Sequence, residues 1–115
     1  MGRRNRQRDK LVAPVSEYRD AEGNRLRLRG ALSPGARRDY AAVLGGGLNL
    51  EDARQRATEL LFERLAVSWT IAGLRNERQK ELLARYRMAT REERDFIRRS
   101  LRAHVAENFP ELEAP

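Results

Sequence analysis

The sequence contains no cysteine and only one histidine, His104. A chain without thiols forms no disulfide, thiolate metal site or cysteine nucleophile, and one histidine makes no histidine cluster. The carboxylates alternate with arginines, a pattern typical of solvated ion pairs rather than of a tuned catalytic or metal-binding group. We therefore expect a protein that is not an enzyme and that holds no cofactor and no metal.

Long hydrophobic runs are also missing. No apolar segment approaches the roughly 18 residues needed to cross a bilayer, and residues 1–10 (MGRRNRQRDK) lack the apolar segment of a signal peptide. The 115 residues, 40% hydrophobic and 36% charged, fit one small globular domain with a modest core. We expect a cytoplasmic protein with no membrane interaction.

Positive charge is what the chain has in excess, with a net value of +7. Residues 1–10 hold five basic residues against one acid, residues 11–40 six against four, and residues 41–115 thirteen against twelve. Arginine outnumbers lysine by 22 to two, a bias typical of a GC-rich genome. Any nucleic-acid affinity is thus expected to come from the N-terminal part, since the helical body is almost neutral.

Residues 1–10 are predicted to be a disordered basic tail. An arm that touches nucleic acid is the alternative, because a block of like charge is typical of such arms as well. In that case the contact candidates are Arg3, Arg4, Arg6 and Arg8.

A β-hairpin is predicted next. The segments 11–18 (LVAPVSEY) and 24–29 (NRLRLR) flank a turn in which Gly23 can adopt the left-handed conformation. In the second segment Leu26 and Leu28 alternate with arginines, so one face is expected to be buried and the other to form a ladder of guanidinium groups.

Four helical segments follow in the sequence. They run from Ser33-Pro34 to Gly45, from Asn49 to about Ala72, from Asn76 to about Met88, and from the capping box at Thr90 to about Glu107. The end of the second segment, 66–71 (AVSWTI), also alternates and is rich in β-branched residues, which leaves an extended conformation open. We predict a mainly α fold: one domain over residues 11–109, with an N-terminal hairpin, a bundle of about four helices and a flexible end at 110–115.

The second helix has apolar residues over most of its circumference, so it is either central to the bundle or shared with a partner. Phe62, Leu65 and Trp69 are the candidates for contact with a protein partner, because large aromatic side chains concentrate binding energy at interfaces. The alternative is that the hairpin or the last two helices bury them.

The last helix carries a basic stripe beside its apolar stripe. Arg91, Arg94, Arg98 and Arg102 fall within about 80° of one another on a helical projection. Such a stripe is a candidate for contact with a nucleic-acid groove. The alternative is that the arginine stems cover the edge of the apolar stripe, with His104 buried or at the boundary.

Three segments resemble one known family. An apolar-basic strand at 26–28 (LRL), a helix entry at 32–38 (LSPGARR) and a helix ending at 62–71 (FERLAVSWTI) resemble the small tail assembly chaperones of long-tailed phages of actinobacteria. The resemblance covers roughly residues 25–105. It implies a non-enzymatic, largely helical protein that binds the tape-measure protein and helps tail-tube subunits assemble around it, with Phe62, Val67, Trp69 and Ile71 as core or contact residues.

Two functions are therefore predicted for the chain. The first is a protein-interaction or adaptor module whose protein partner the sequence does not identify; a homo-oligomer is one option. The alternative is a small basic DNA- or RNA-binding protein that uses the tail, the hairpin arginines and the stripe from Arg91 to Arg102.

Overall fold

The computed structural model describes residues 14–47 and 49–115, so the predicted disorder of residues 1–10 lies outside the described residues. Within that part of the chain four strands and four helices follow one another. They are β1 (Val15–Arg19), β2 (Arg25–Arg29), α1 (Pro34–Gly45), α2 (Leu50–Leu65), β3 (Ala66–Ile71), β4 (Leu74–Asn76), α3 (Gln79–Arg87) and α4 (Arg91–Asn108).

The strands form one antiparallel sheet in the order β1-β2-β3-β4. The N-terminal hairpin and the four helices are confirmed, but the fold is mixed α and β rather than mainly α. The difference comes from β3 and β4, a second hairpin that joins the first one through pairing of β2 with β3.

The second helix is shorter than predicted. It ends at Leu65, and residues 66–71 form β3, so the extension of the helix to about Ala72 was wrong and the extended alternative is confirmed. Strand pairing decides the outcome, because it places Trp69 opposite Leu26 and buries both side chains. Ala72 and Gly73 then turn the chain into β4, with positive φ angles of 50° and 81°, as two-residue hairpin loops require.

The third helix also begins later than predicted. Asn76 does not cap it but ends β4, where its side chain donates a hydrogen bond to the Trp69 carbonyl at 3.2 Å. Arg78 is the residue before the helix, and the Glu81 side chain accepts its amide at 3.3 Å. Tertiary pairing of β4 with β3 thus outweighs the local capping preference of asparagine.

The other helix starts are confirmed. Ser33 accepts the Ala36 amide at 3.1 Å, and Asn49 accepts the Asp52 amide at 3.1 Å. At Thr90 the capping box is complete, because its hydroxyl accepts the Glu93 amide at 3.1 Å while the Glu93 carboxylate accepts the Thr90 amide at 2.9 Å. These bonds satisfy amides that the first helical turn leaves without partners.

The helices pack on one face of the sheet. Leu26, Leu28 and Trp69 point from the sheet into the core, where α2, α3 and α4 meet them. On β2 the arginines that alternate with the two leucines are exposed or half-buried. The sheet therefore has one face in the core and a second face directed toward solvent.

The C-terminal segment 110–115, which the sequence predicts to be flexible, lies against α1. Glu111 forms an ion pair with Arg37, and the Tyr40 hydroxyl donates a hydrogen bond to the carbonyl of Glu113. Leu112 packs against the edge of the core. Burial of Tyr40 under this segment and the core raises the pKa of its hydroxyl.

Candidate functional site

The three residues predicted to contact a protein partner are buried in the chain's own core. Phe62 and Leu65 have no exposed surface, and Trp69 is 1% exposed. Phe62 stacks on Tyr86 with ring centroids 4.9 Å apart and meets Trp69 edge-on at 5.8 Å. Because the sheet and α3 cover them, these residues stabilise the fold and present no surface to a partner.

Trp69 marks the contact between the sheet and the helices α3 and α4. The Arg85 guanidinium lies over its ring, 5.3 Å from the centroid, and donates to the Glu93 carboxylate at 2.6 Å. Burial alone would raise the pKa of Glu93, but hydrogen bonds from Arg85 and from the Thr90 amide outweigh that effect and lower it. No described residue accepts a hydrogen bond from the indole nitrogen.

A groove of about 790 Å³ lies between α2 and the α3–α4 corner. Three of the predicted stripe residues, Arg91, Arg94 and Arg98, line it, whereas Arg102 is exposed elsewhere on α4. We call it the helical groove; its charged lining residues are Glu51, Asp52, Arg56, Glu59, Arg87, Arg91, Arg94, Asp95 and Arg98. Four carboxylates therefore face five arginines.

Most groove arginines are engaged within the protein. Arg98 donates to Glu51 at 2.8 Å, and this hydrogen bond lowers the pKa of the Glu51 carboxyl. Arg94 lies 5.4 Å from the centroid of the Tyr86 ring and donates to the Arg87 carbonyl at 3.0 Å. A stripe held in this way and interleaved with acids is a poor phosphate surface, since the acids would repel the ligand.

The solvent-directed face of the sheet carries arginines on three strands. The register places Arg19 beside Arg25, and Thr70 between Arg25 and Arg75. We call this surface the sheet face; it consists of Val15, Glu17, Arg19, Arg25, Arg27, Arg29, Thr70 and Arg75, while Ser68, which pairs with Arg27, is buried. Five arginines thus share this surface and its edge with two carboxylates, Glu17 and Glu77.

The two flanking arginines are paired and the three central ones are not. Arg19 donates to Glu17 at 2.8 Å, and Arg75 lies 3.1 Å from Glu77. In the part of the chain that the structure describes, no carboxylate forms an ion pair with Arg25, Arg27 or Arg29. Arg25 and Arg29, which are exposed, therefore keep their donors available for an external anion, whereas Arg27 is half-buried.

Electrostatics at the sheet face confirm the local excess of positive charge. The hydrogen bond from Arg19 lowers the pKa of Glu17, and the charges of Arg25 and Arg27 lower it further. At the centre of the face the Nε atom of Arg27 is buried, and no described residue accepts its hydrogen. A buried donor without an acceptor is costly, and the Nε atom of Arg98 in the helical groove is in the same condition.

His104 connects α4 to β2 beneath the sheet face. The ring is fully buried, and its Nε2 donates to the carbonyl of Arg29 at 2.8 Å. Its Nδ1 accepts the Tyr18 hydroxyl at 2.8 Å and lies 3.2 Å from the Asn108 amide nitrogen. Because a carbonyl only accepts, Nε2 carries the proton. The histidine therefore positions the strand that bears the arginines.

Gly30 permits this close approach of α4 to the hairpin. A side chain at this position would begin 3.2 Å from the Asn108 amide oxygen and 3.2 Å from the Pro14 carbonyl. The Gly30 amide donates to that carbonyl at 2.7 Å, which extends the pairing of β1 with β2. The arginine row thus sits on a strand with little room to move.

Sequence reasoning found part of this surface. The alternation of β2 predicts Arg25, Arg27 and Arg29 on one face. Arg19 was missed, because the predicted first strand ended at residue 18 and the structure extends it to Arg19. Arg75 was missed, because its place depends on the register of β4, a strand that the sequence did not predict. The tail candidates Arg3, Arg4, Arg6 and Arg8 lie outside the described residues.

Within residues 14–47 and 49–115 there is no group of three or more side chains suited to bind a metal ion. None of the helices in this part of the chain has the length and apolarity needed to span a bilayer. Comparison of the chain with protein-family models, with curated proteins and with solved structures finds no match. Function is therefore inferred from the charge and geometry of the sheet face and the helical groove.

Proposed function

We propose that this chain is a nucleic-acid-binding protein and that the sheet face contacts the phosphate backbone. The observation that supports the proposal is the row of Arg25, Arg27 and Arg29, central in the sheet and without carboxylate partners among the described residues. Arginine presents several donors in a planar fork that suits phosphate oxygens. The basic segment 1–10 precedes β1 and adds positive charge near the same end of the chain.

Charge and apolarity together favour nucleic acid over a membrane surface. Proteins that lie on membranes combine basic residues with large apolar side chains that enter the lipid. On the sheet face the only large apolar residue is Val15, which is 40% exposed. The phosphates of a nucleic acid can pair with the sheet-face arginines without any insertion of apolar side chains.

The test is fluorescence anisotropy with a labelled nucleic acid and three forms of the full chain. One form is the natural sequence, the second carries Arg25→Gln, Arg27→Gln and Arg29→Gln, and the third is a control with Arg38→Gln, Arg54→Gln and Arg99→Gln. The control arginines are exposed on helices, outside the sheet face, and have no ion pair in the described structure. Both variants lose the same net charge.

We expect the sheet variant to bind on the order of 10- to 100-fold more weakly and the control to change by less than about threefold. Equal losses in the two variants would contradict the assignment to the sheet face. Absence of binding by the natural chain at low salt would overturn the proposal, as would tighter binding to anionic vesicles than to nucleic acid. A variant lacking residues 1–10 measures how much the tail contributes to the affinity for nucleic acid.

The protein-interaction function and the tail-assembly role remain predictions. Their main support was a partner surface at Phe62, Leu65 and Trp69, which the structure buries. A pull-down from the native host with the natural chain tests them directly, and capture of a tape-measure protein would favour them over the nucleic-acid proposal.

A further inference from the structure

The positions of the aromatic side chains indicate whether a single strand or a duplex fits the sheet face; this step rests on the proposed function. The chain has one tryptophan, three tyrosines and three phenylalanines, and all seven lie in the described residues. Six are buried, and the seventh, Tyr18, is half-buried with its ring edge-on to His104 at 5.7 Å. No aromatic ring is therefore exposed anywhere in the described chain, and residues 1–13 and 48 contain none.

Proteins that bind single strands combine a basic surface with aromatic rings on which the bases stack. The sheet face offers arginine, threonine and valine instead. Exposed bases of a single strand would gain little from this surface, whereas a duplex stacks its own bases and presents phosphates outward. The missing aromatic rings thus favour a duplex.

The dimensions of the arginine array agree with a duplex. Along β2, Arg25 and Arg29 are about 13 Å apart, and across the sheet Arg19 and Arg75 are about 14 Å apart, given ordinary strand spacings. The major groove of B-DNA is roughly 12 Å wide. An array that extends this far in two directions can contact phosphates on both sides of a groove.

The same dimensions keep the sheet face from contacting the edges of the bases. A two-stranded ribbon enters the major groove, but here β1 and β2 are half of a four-stranded sheet, because β3 pairs with the other edge of β2. The four-stranded sheet is too wide to enter. Its arginines reach phosphates and not the edges of the bases.

We infer that the sheet face binds the phosphate backbone of a nucleic-acid duplex without sequence preference. The five arginines set an upper limit of about five neutralised phosphates on this face, and each contact that is removed lowers the salt dependence of binding by about one unit. Other polyanions share the phosphate or carboxylate chemistry, and the experiment separates them.

The experiment measures anisotropy titrations of the full chain with two unrelated DNA duplexes and with a thymidine single strand of the same length, over a range of salt concentrations. We expect the two duplexes to agree within about twofold and the single strand to bind at least about fivefold more weakly. The Arg25, Arg27 and Arg29 triple glutamine variant should reduce the slope of log K against log salt for the duplex by about 2.7. Unlabelled heparin and anionic vesicles serve as competitors.

Equal or tighter binding of the single strand, or a difference above about tenfold between the duplexes, would overturn this inference and leave the proposed function standing. Failure to bind any nucleic acid would overturn both. An unchanged salt slope in the variant would also overturn the inference, since the duplex would then be held elsewhere. If the triple variant does not fold, as judged by circular dichroism, Arg25→Gln alone must lower the slope by about one unit.

Discussion

The sheet face and the helical groove contain the same number of arginines but differ in what surrounds them. In the groove, three of the four carboxylates form ion pairs with arginines, and the Tyr86 ring lies against Arg94. On the sheet face two carboxylates, Glu17 and Glu77, accompany five arginines, and three of the five have no ion pair among the described residues. The number of basic residues is thus a weaker guide to an anion site than the number of acids beside them.

The two regions also differ in what holds them in place. β2 is fixed from below by the buried hydrogen bonds of His104, while the groove is bridged by ion pairs that water reaches. Buried and fully satisfied polar groups contribute more to stability than exposed ion pairs do. Substitutions in the two regions should therefore differ in their effects on the free energy of unfolding.

The largest loss of stability is expected for His104→Ala. The variant leaves a cavity and removes the partners of the Arg29 carbonyl and the Tyr18 hydroxyl, so the free energy of unfolding should fall by about 3 kcal/mol. Urea denaturation followed by circular dichroism measures it. Tyr18→Phe is the control, because it removes the hydroxyl alone and should cost about 1 kcal/mol. Equal losses in both variants would show that the link to β2 is not what stabilises this region.

The hydrogen bonds of His104 also show which contacts could not be predicted from the sequence. The hairpin, the starts of α1, α2 and α4 and the apolar stripe of α4 follow from local signals: turn residues, caps and periodicity. That His104 is buried was among the expectations, but its partner Arg29 lies 75 residues away along the chain. Contacts of that kind depend on packing, which local patterns do not encode.

The same limit explains the two largest errors. Residues 66–71 fit a helix and a strand almost equally well, and the partner strand β2 decides between them. Because residues 66–71 form β3 and pair with β4, Trp69 faces the core instead of a partner, and Arg75 lies on the sheet face. One undetermined segment therefore changed both the fold class and the candidate site.

A second, smaller loss is expected at the edge of the groove region, where Glu93 receives hydrogen bonds from Arg85 and Thr90. Its side chain is 18% exposed. Glu93→Gln should lower the free energy of unfolding at neutral pH by about 1 to 2 kcal/mol. Glu77→Gln, in the exposed pair with Arg75, is the control and should change it by less than about 0.5 kcal/mol.

The contribution of Glu93 to the free energy of unfolding should decrease as the pH falls. Its pKa in the folded protein lies below the ordinary value of 4.5, so its contribution is fully present above the pKa of the unfolded chain and is lost as pH falls through the folded pKa. The difference between the natural chain and Glu93→Gln should therefore shrink below about pH 4.5. A difference that stays constant down to pH 3 would contradict a role for the charged carboxylate.

A gain in stability is expected at the turn between β3 and β4. Ala72 adopts a φ of 50°, a left-handed conformation that glycine adopts without a steric penalty. Ala72→Gly should raise the free energy of unfolding by about 0.5 kcal/mol, because relief of strain exceeds the added entropy of the unfolded chain. Ala103→Gly is the control in the interior of α4 and should lower it by about 1 kcal/mol. A loss at Ala72 as large as the loss at Ala103 would contradict this turn geometry.

The smallest effect should come from the ion pair of Arg98 with Glu51 across the groove. The two side chains are 25% and 56% exposed, and exposed pairs of this kind contribute about 0 to 1 kcal/mol. Arg98→Gln should therefore destabilise the protein by less than about 1 kcal/mol, and Glu51→Gln should do the same. Because Glu51 already neutralises Arg98, removal of this arginine should weaken duplex binding by less than about twofold, whereas Arg25→Gln should weaken it several-fold. If Arg98→Gln were the more damaging of the two in anisotropy titrations, the groove rather than the sheet face would be the anion surface.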